Sequence, residues 1–265
     1  PEPPDAEPGP SPPQRDGGPD IPQSLFDASA AYKIVSRVPE DVRRITFSGH
    51  EFWVKKGTNL GPGPNIFSDN EENVRVDADG RLHLRITDNG GQYECAEVVC
   101  MESFGYGSYI WTISTPAEAI DPSAVLGLFT YSDVASYNWR EIDCEIGTWN
   151  VPQNAPTQFV VQPWDTPGNM ERFDTQGESP FTLGFTWTPE AILFRCVRGT
   201  DFFAEGEESV IHEWRYEGSD VPLRGDENAR MNHWLIWGNP PVGNQEIEVV
   251  IDSFRFVSVD EDVSR

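Results

Sequence analysis

The sequence predicts an all-β fold, a sandwich of two antiparallel sheets. From Ile45 onward it is a succession of short alternating, β-branched and aromatic runs separated by Gly, Pro, Asn and Asp, the pattern of strands joined by turns. No stretch of ten or more residues keeps a 3.6-residue period, apart from a weak one in "PQSLFDASAAYKIVSRV" near the start, so helices are expected to be scarce. Nor is there an internal repeat at a fixed period, which counts against a propeller or solenoid.

Taken in order, the runs are "HEFWVKK", "RLHLRIT", "YECAEVV", "GSYIWTIS", "AVLGLFTY", "TQFVVQPW", "FTLGFTW", "AILFRCV", "MNHWLIW" and "IEVVIDSFRFVSV". In "RLHLRIT", alternation puts Leu82, Leu84 and Ile86 on one face and Arg81, His83 and Arg85 on the other, a strand with one wet side. Residues 1–24 are Pro-rich and nearly devoid of large apolar side chains. They cannot bury enough surface to offset the entropy of ordering, and are expected to be a disordered linker. The expected organisation is that linker, one domain over 25–260 and a short tail over 261–265.

Composition narrows the function classes. The 265-residue chain has 44 Asp and Glu against 19 Lys and Arg, a net charge of -25, which repels nucleic acid and anionic membranes. Such an excess suits a salt-rich setting, where charges are screened, and equally an ordinary acidic secreted protein. No window approaches the roughly 18 apolar residues of a membrane span. The first residue is Pro rather than Met; loss of an export signal is one reading of that, and an extracellular or cell-surface location is expected. Cys95, Cys100, Cys144 and Cys196 form no zinc-like spacing and read as buried thiols, with a disulfide as the alternative. A monomer is expected.

The chemistry concentrates in "NWREIDCEIGTWN". Alternation places Ile142, Cys144, Ile146 and Thr148 on one face, and Trp139, Glu141, Asp143, Glu145, Gly147 and Trp149 on the other. Neighbouring like charges weaken a sheet, so a merely solvated face has no use for three carboxylates bracketed by indoles. Glu141 and Glu145 are about 13 Å apart along the backbone at roughly 3.3 Å per residue. Side chains leaning together would approach the ~5 to 5.5 Å carboxyl separation of a retaining glycosidase. Asp143 between them can orient one Glu and push the carboxyl pKa values apart. One group can then stay ionised while another holds a proton. Trp139 and Trp149 offer flat surfaces on which sugar rings stack. Metal binding is a poor fit, because the positions alternate along a strand and have no His partner.

"EIDCEIG" resembles the Glu-x-Asp-x-Glu active-site strand of glycoside hydrolase family 16, the β-jelly-roll enzymes that include lichenases, laminarinases, agarases and xyloglucan transglycosylases. The resemblance runs from about Ser48 to Val257. It includes "YECAEVVCMESFGYGSYIWTI", "AVLGLFTY", "FTWTPEAILFRCVRG", "RMNHWLIWG" and "EVVIDSFRF". It implies a concanavalin A-like jelly roll that hydrolyses a β-linked polysaccharide with retention. Glu141 would be nucleophile, Asp143 its hydrogen-bonding helper and Glu145 general acid/base. Transfer to a sugar hydroxyl instead of water is implied equally. The single residue between Asp143 and Glu145 matches the regular strand of lichenases and xyloglucan transglycosylases rather than the bulged strand common in laminarinases.

The resemblance also implies sugar contacts from Glu97, for which a surface ion pair is the plainer reading, and from Asn65 and Phe67 in "GPGPNIFS", which an ordinary turn would also explain. Gln158, Gln162 and Trp164 share strand parity beside the catalytic strand. Asn232, Trp234 and Trp237 would border the cleft unless they are core residues, and Trp187 is equally open to core packing. No cofactor is implied for catalysis; Gly80 and Asp252 stand where family members hold a structural calcium. One departure is Val99, where lichenases have an arginine two residues after "CAE", and the segment "TWNVPQNAPTQ" is also unlike theirs. Two other classes compete: a carbohydrate-binding jelly roll without turnover, and a structural surface protein with no glycan affinity.

Overall fold

The computed structural model describes residues 41–259, which lie in one compact unit. The Pro-rich stretch 1–24, the weakly periodic stretch 22–38 and the tail 261–265 lie outside the described residues. Two packed sheets account for most of the strands. The first runs in spatial order β1 (Arg44–Phe47), β2 (His50–Val54), β7 (Gln92–Cys100), β16 (Asn228–Leu235), β9 (Ala124–Tyr131), β10 (Ile142–Ile146), β11 (Thr157–Val161) and β12 (Met170–Phe173). The second runs β5 (Val74–Val76), β6 (Leu82–Asn89), β17 (Ile247–Ser258), β8 (Gly107–Ile113), β13 (Phe181–Trp187), β14 (Ile192–Arg198) and β15 (Val210–Tyr216). Both are antiparallel throughout. The short strands β3 (Gly57–Leu60) and β4 (Asn65–Phe67) pair with each other, and β4 also runs parallel to β7.

The runs read from sequence become strands β2, β6, β7, β8, β9, β11, β13, β14, β16 and β17. The strands β1, β3, β4, β5 and β12, of three or four residues each, are too short to stand out, and β15 (VIHEWRY) was not among the runs read. Among the described residues before Val259, helical structure is limited to single 3₁₀ turns at Ala117–Ala119, Asn138–Arg140 and Ile236–Gly238.

A hairpin links the sheets. β6 pairs with β7 through Thr87–Asn89 and Gln92–Glu94, turning at Gly90 and Gly91, both at positive φ, as a tight hairpin requires. β7 then leaves β6 and enters the first sheet against β16 from Ala96 to Val99. This change of partner explains the two sulfurs: Cys95 and Cys100 are five apart, hence opposite in a single regular strand, yet both lie in the core. All four thiols are buried and unpaired.

Between the sheets lies one hydrophobic cluster that includes Leu82, Leu84, Ile86, Trp111, Ile142, Cys144, Ile146, Phe159, Phe185 and Phe254. The inward face of β10 is therefore apolar, as alternation predicts. Burying Ile142 and Ile146 stabilises by roughly 1.5–3 kcal/mol each. That exceeds the few tenths to ~1 kcal/mol that each like-charge neighbour costs on the outward face, so the acidic strand is held from below. Trp187 is fully buried, with Nε1 donating to Pro222 O at 3.1 Å, and belongs to the core.

Candidate active site

Cross-strand register lays the outward residues of the first sheet in rows. One row is Arg172, Gln158, Glu145, Gly127, Asn232 and Glu97. The adjacent row is Val160, Asp143, Phe129, Arg230, Val99 and Trp53. β10 pairs with β9 and β11 without a bulge, so Asp143 and Glu145 project from the same face.

Glu141 immediately precedes β10, bonding through its backbone carbonyl to Gln162 N at 3.3 Å. Its side chain is hydrogen-bonded to Asp143. Burial first, and then the Glu145 charge, push the Glu141 carboxyl up to about 8, opposed by Arg230 and by the Asp143 bond. Burial, then Glu141 and Glu145, raise Asp143 well above the usual carboxylate range. The bond between them holds Glu141 down and Asp143 up. Burial also raises Glu145, against the pull of the Gln158 bond and the Arg172 charge. Gln158 Nε2 donates to Glu145 Oε2 at 2.6 Å, and Gln162 Nε2 to Asp143 Oδ2 at 3.2 Å.

The two flanking tryptophans are not on the strand. Tyr137 to Arg140 all have positive φ, as does Trp149, so alternation stops at Glu141 and beyond Ile146. Left-handed conformation costs roughly 1–2 kcal/mol per non-Gly residue and needs support. Here Ser132 N donates to Trp139 O at 2.7 Å, Thr130 Oγ1 to Arg140 O at 2.9 Å, and the buried Arg140 Nε to Leu223 O at 2.9 Å. Trp149 instead packs against the Arg172 guanidinium, 4.6 Å from its ring centre.

Glu97 is 1% exposed and paired with Lys55 at 2.7 Å, a buried ion pair rather than a surface one. Asn232 Oδ1 accepts from Gly127 N at 3.1 Å. Asn65 is buried, donating to Pro62 O and Leu235 O at 2.8 Å each and accepting from Cys95 Sγ at 3.4 Å. Its polar atoms fasten the Gly61–Asn65 loop to β16, and so are already committed. Phe67 is a core residue with the Lys55 ammonium 4.4 Å over its ring; in place of a cleft surface it supports the Lys55–Glu97 pair. Trp164 and Trp237 are 60% and 64% exposed and free to meet a ligand, whereas Trp234 is partly buried against the core.

At the expected calcium position, Gly80 closes a turn with its N–H on Asp77 O at 3.0 Å. Both Asp252 oxygens lie 2.6 Å from Ser114 Oγ. These oxygen donors suit calcium; the Arg81 charge acting on Asp252 counts against it. Among the described residues no group of three or more His, Cys, Asp or Glu could hold a metal ion.

Sequence reasoning missed Arg172, Arg230, Lys55 and Tyr131. Arg230 shares parity with Asn232 and Trp234, a signal that was available. Arg172 lies in "MERF", too short a run to declare itself a strand.

Solved structures carry the same architecture. A prokaryotic β-1,3-1,4-glucanase (lichenase) from a mouse hindgut metagenome superposes with a TM-score of 0.60 at 20% identity, covering 78% of this chain and 93% of that one. The fold is that of the β-glucanases. The Bacillus licheniformis β-glucanase gives a TM-score of 0.59 at 17% identity over 85% of this chain and 96% of that one. A pseudo β-1,3-glucanase of Mycobacterium tuberculosis, described as an immunostimulatory antigen, gives 0.57 at 17% over 78% and 90%. No family profile matches the chain, and no curated protein matches it in sequence. Among the described residues no helix is long and apolar enough to cross a membrane.

Proposed function

We propose that the protein is a retaining endo-glycosidase that hydrolyses internal β-linkages of a β-glucan or galactan type polysaccharide. The observation that carries this reading is that Asp143 and Glu145 project from one sheet face, with Glu141 immediately before their strand. In the first step the Glu141 carboxylate attacks the anomeric carbon while protonated Glu145 gives its proton to the departing glycosidic oxygen. The bond to the leaving sugar breaks as the glycosyl ester forms. Glu145, now ionised, then takes a proton from water, whose oxygen displaces Glu141 and restores the enzyme. A sugar hydroxyl in place of that water gives transglycosylation.

Asp143 donates to Glu141 and disperses its charge as the ester breaks. Gln158 and Arg172 moderate the proton affinity of Glu145. Trp164, Trp237, Trp139 and Trp149 are proposed as sugar-stacking surfaces, and Glu97, Gln158 and Gln162 as polar contacts. No cofactor takes part in the chemistry. A calcium ion at Asp252 and Gly80 would be structural, and a rise in Tm on adding calcium to chelator-treated protein tests it. A monomer acting outside the cell completes the proposal.

The second reading is a carbohydrate-binding jelly roll without turnover, favoured by the pseudo-glucanase among the structural neighbours. A panel of β-glucans and galactans, with wild type and Glu141→Gln, separates the two. Hydrolysis predicts new reducing ends with the β-anomer appearing first by NMR, and a variant that binds without cleaving. If both proteins bind and neither cleaves, the binding reading takes its place.

A further inference from the structure

Tyr109, Trp111 and Ile113 of β8 point into the core, so Ile110 and Thr112 between them face outward from the second sheet. Both are nevertheless buried. With Ser48, Asp201, Ser253 and Arg255 they line a cavity of about 560 Å³, within the roughly 300–1,000 Å³ of small-molecule sites. It lies across the sandwich from Asp143 and Glu145, whose sheet is packed roughly 10 Å away, so nothing bound in it meets the reacting groups.

The walls of the cavity are fastened. In the loop after β14, Arg195 Nη1 and Nη2 donate to Phe202 O and Ala204 O at 2.7 and 2.8 Å, Phe202 is fully buried, and Phe203 N donates to Asp201 Oδ1 at 3.2 Å. From the β1–β2 turn, Ser48 Oγ accepts from Phe254 N at 2.9 Å. The hydrogen-bonding capacity inside is mixed and largely unspent. Thr182 Oγ1 gives its hydrogen to Gly199 O at 2.7 Å, so in its 2.9 Å contact with Thr112 Oγ1 it is Thr112 that donates, keeping lone pairs for another donor. Among the described residues Asp201 Oδ2 and the Ser48 hydroxyl hydrogen are uncommitted, and Arg255 has no ion pair; its guanidinium lies 5.6 Å from the centre of the Phe203 ring. In a chain of net charge -25, where Arg75, Arg81, Arg85, Arg195, Arg198 and Arg215 all pair with carboxylates, that cation is left for a ligand.

Charge narrows the ligand. Asp201 opposes an anion, Arg255 opposes a cation, and the hydroxyls give little to an oily molecule. A sugar ring suits all of them, because each of its hydroxyls both donates and accepts and its C–H face can rest on Ile110. We propose that this cavity binds a sugar residue of a polysaccharide chain, a second glycan contact on the sheet opposite the three carboxylates. Two contacts on one protein hold it on the polymer and raise the effective concentration of substrate at the cleft. The sugar site stands on its own lining, whereas its use in holding substrate rests on the glycosidase reading.

The test uses the full chain with Glu141→Gln, so that no sugar is consumed, titrated with β-linked gluco- and galacto-hexasaccharides and followed by amide NMR. With one of them the signals of Thr200, Asp201, Ser253 and Arg255 should follow a titration curve of their own, separate from that of β10 and β11. Arg255→Ala and Asp201→Asn, both at exposed positions, should each weaken that curve about tenfold, as loss of a hydrogen bond to a charged group implies, and leave the β10 curve in place. With Glu141 restored, both substitutions should leave kcat/KM on the hexasaccharide unchanged and raise KM on the long polymer about tenfold. If no hexasaccharide moves the cavity signals, or if they move equally without Arg255 and Asp201, the proposal is overturned. Movement with an unchanged polymer KM overturns the role in holding substrate. Movement in a protein whose wild type cleaves nothing leaves the glycan site standing and removes the glycosidase reading.

Discussion

Gln158 donates to Glu145 at 2.6 Å, a shorter contact than the 3.2 Å bond from Gln162 to Asp143. This bond stabilises the ionised form of Glu145 and so lowers its proton affinity. In Gln158→Leu the carboxyl should hold its proton to higher pH. The basic limb of kcat/KM, which reports loss of the general acid, should then move upward by about a unit while the acidic limb stays in place. A pH-rate profile checks it.

Replacing Glu145 with Ala should cost about 10²- to 10⁴-fold on polysaccharide. It should cost far less in the first step with an aryl glycoside whose leaving group needs no proton. Azide should then displace Glu141 from the glycosyl ester and give the β-glycosyl azide. An α-configured product would contradict Glu141 as nucleophile.

Lys55→Met leaves Glu97 buried without its close partner. Breaking such a pair from one side costs about 3–5 kcal/mol, and with Arg230 still 3.9 Å from Glu97 the low end is expected. Lys55→Met/Glu97→Met should recover most of the loss. Urea denaturation of both variants measures it.

Gly127 stands between Glu145 and Asn232 in register. A Cβ there would lie 2.5 Å from Asn232 Oδ1. Gly127→Ala should displace the Asn232 side chain, break its bond to Gly127 N, destabilise by about 1–3 kcal/mol and raise KM.

His233 is buried, with Nδ1 facing Leu84 O at 3.2 Å, and burial holds its pKa down to about 4 from 6.5. Between those values the unfolded chain binds a proton that the folded chain does not. Stability should therefore fall, by on the order of 3 kcal/mol, as pH drops from 6.5 to 4. Glu227, which burial raises to about 7, acts with opposite sign as pH drops from 7 to 4.5. The difference between wild type and His233→Asn at pH 7 and pH 4.5 is therefore the measurement.

Much of the site was legible because strands obey a period of two. Wherever the chain is a regular strand, as from Ile142 to Ile146, parity placed the apolar and acidic faces correctly. It stops applying where the backbone leaves the strand: the positive φ of Trp139 and Trp149 puts both outside the regular alternation, and the partner change of β7 folds Cys95 into the same core as Cys100. Phe67 and Asn65, expected at a cleft loop, lie on the short strand β4. Their side chains turned inward because an aromatic ring gains more from the core than from water, and a buried amide must satisfy its donors.

The amino-acid sequence by itself determined the all-β architecture, the two-faced strand and the identity of its three carboxylates, since those depend on local alternation and composition. Only the tertiary structure decided what stands beside them. Gln158, Arg172, Asn232, Glu97 and Arg230 come from four other strands, and cross-strand register brings them within reach of β10. Charge acts through space: burial and these neighbours, far apart in the chain, set which carboxyl keeps a proton.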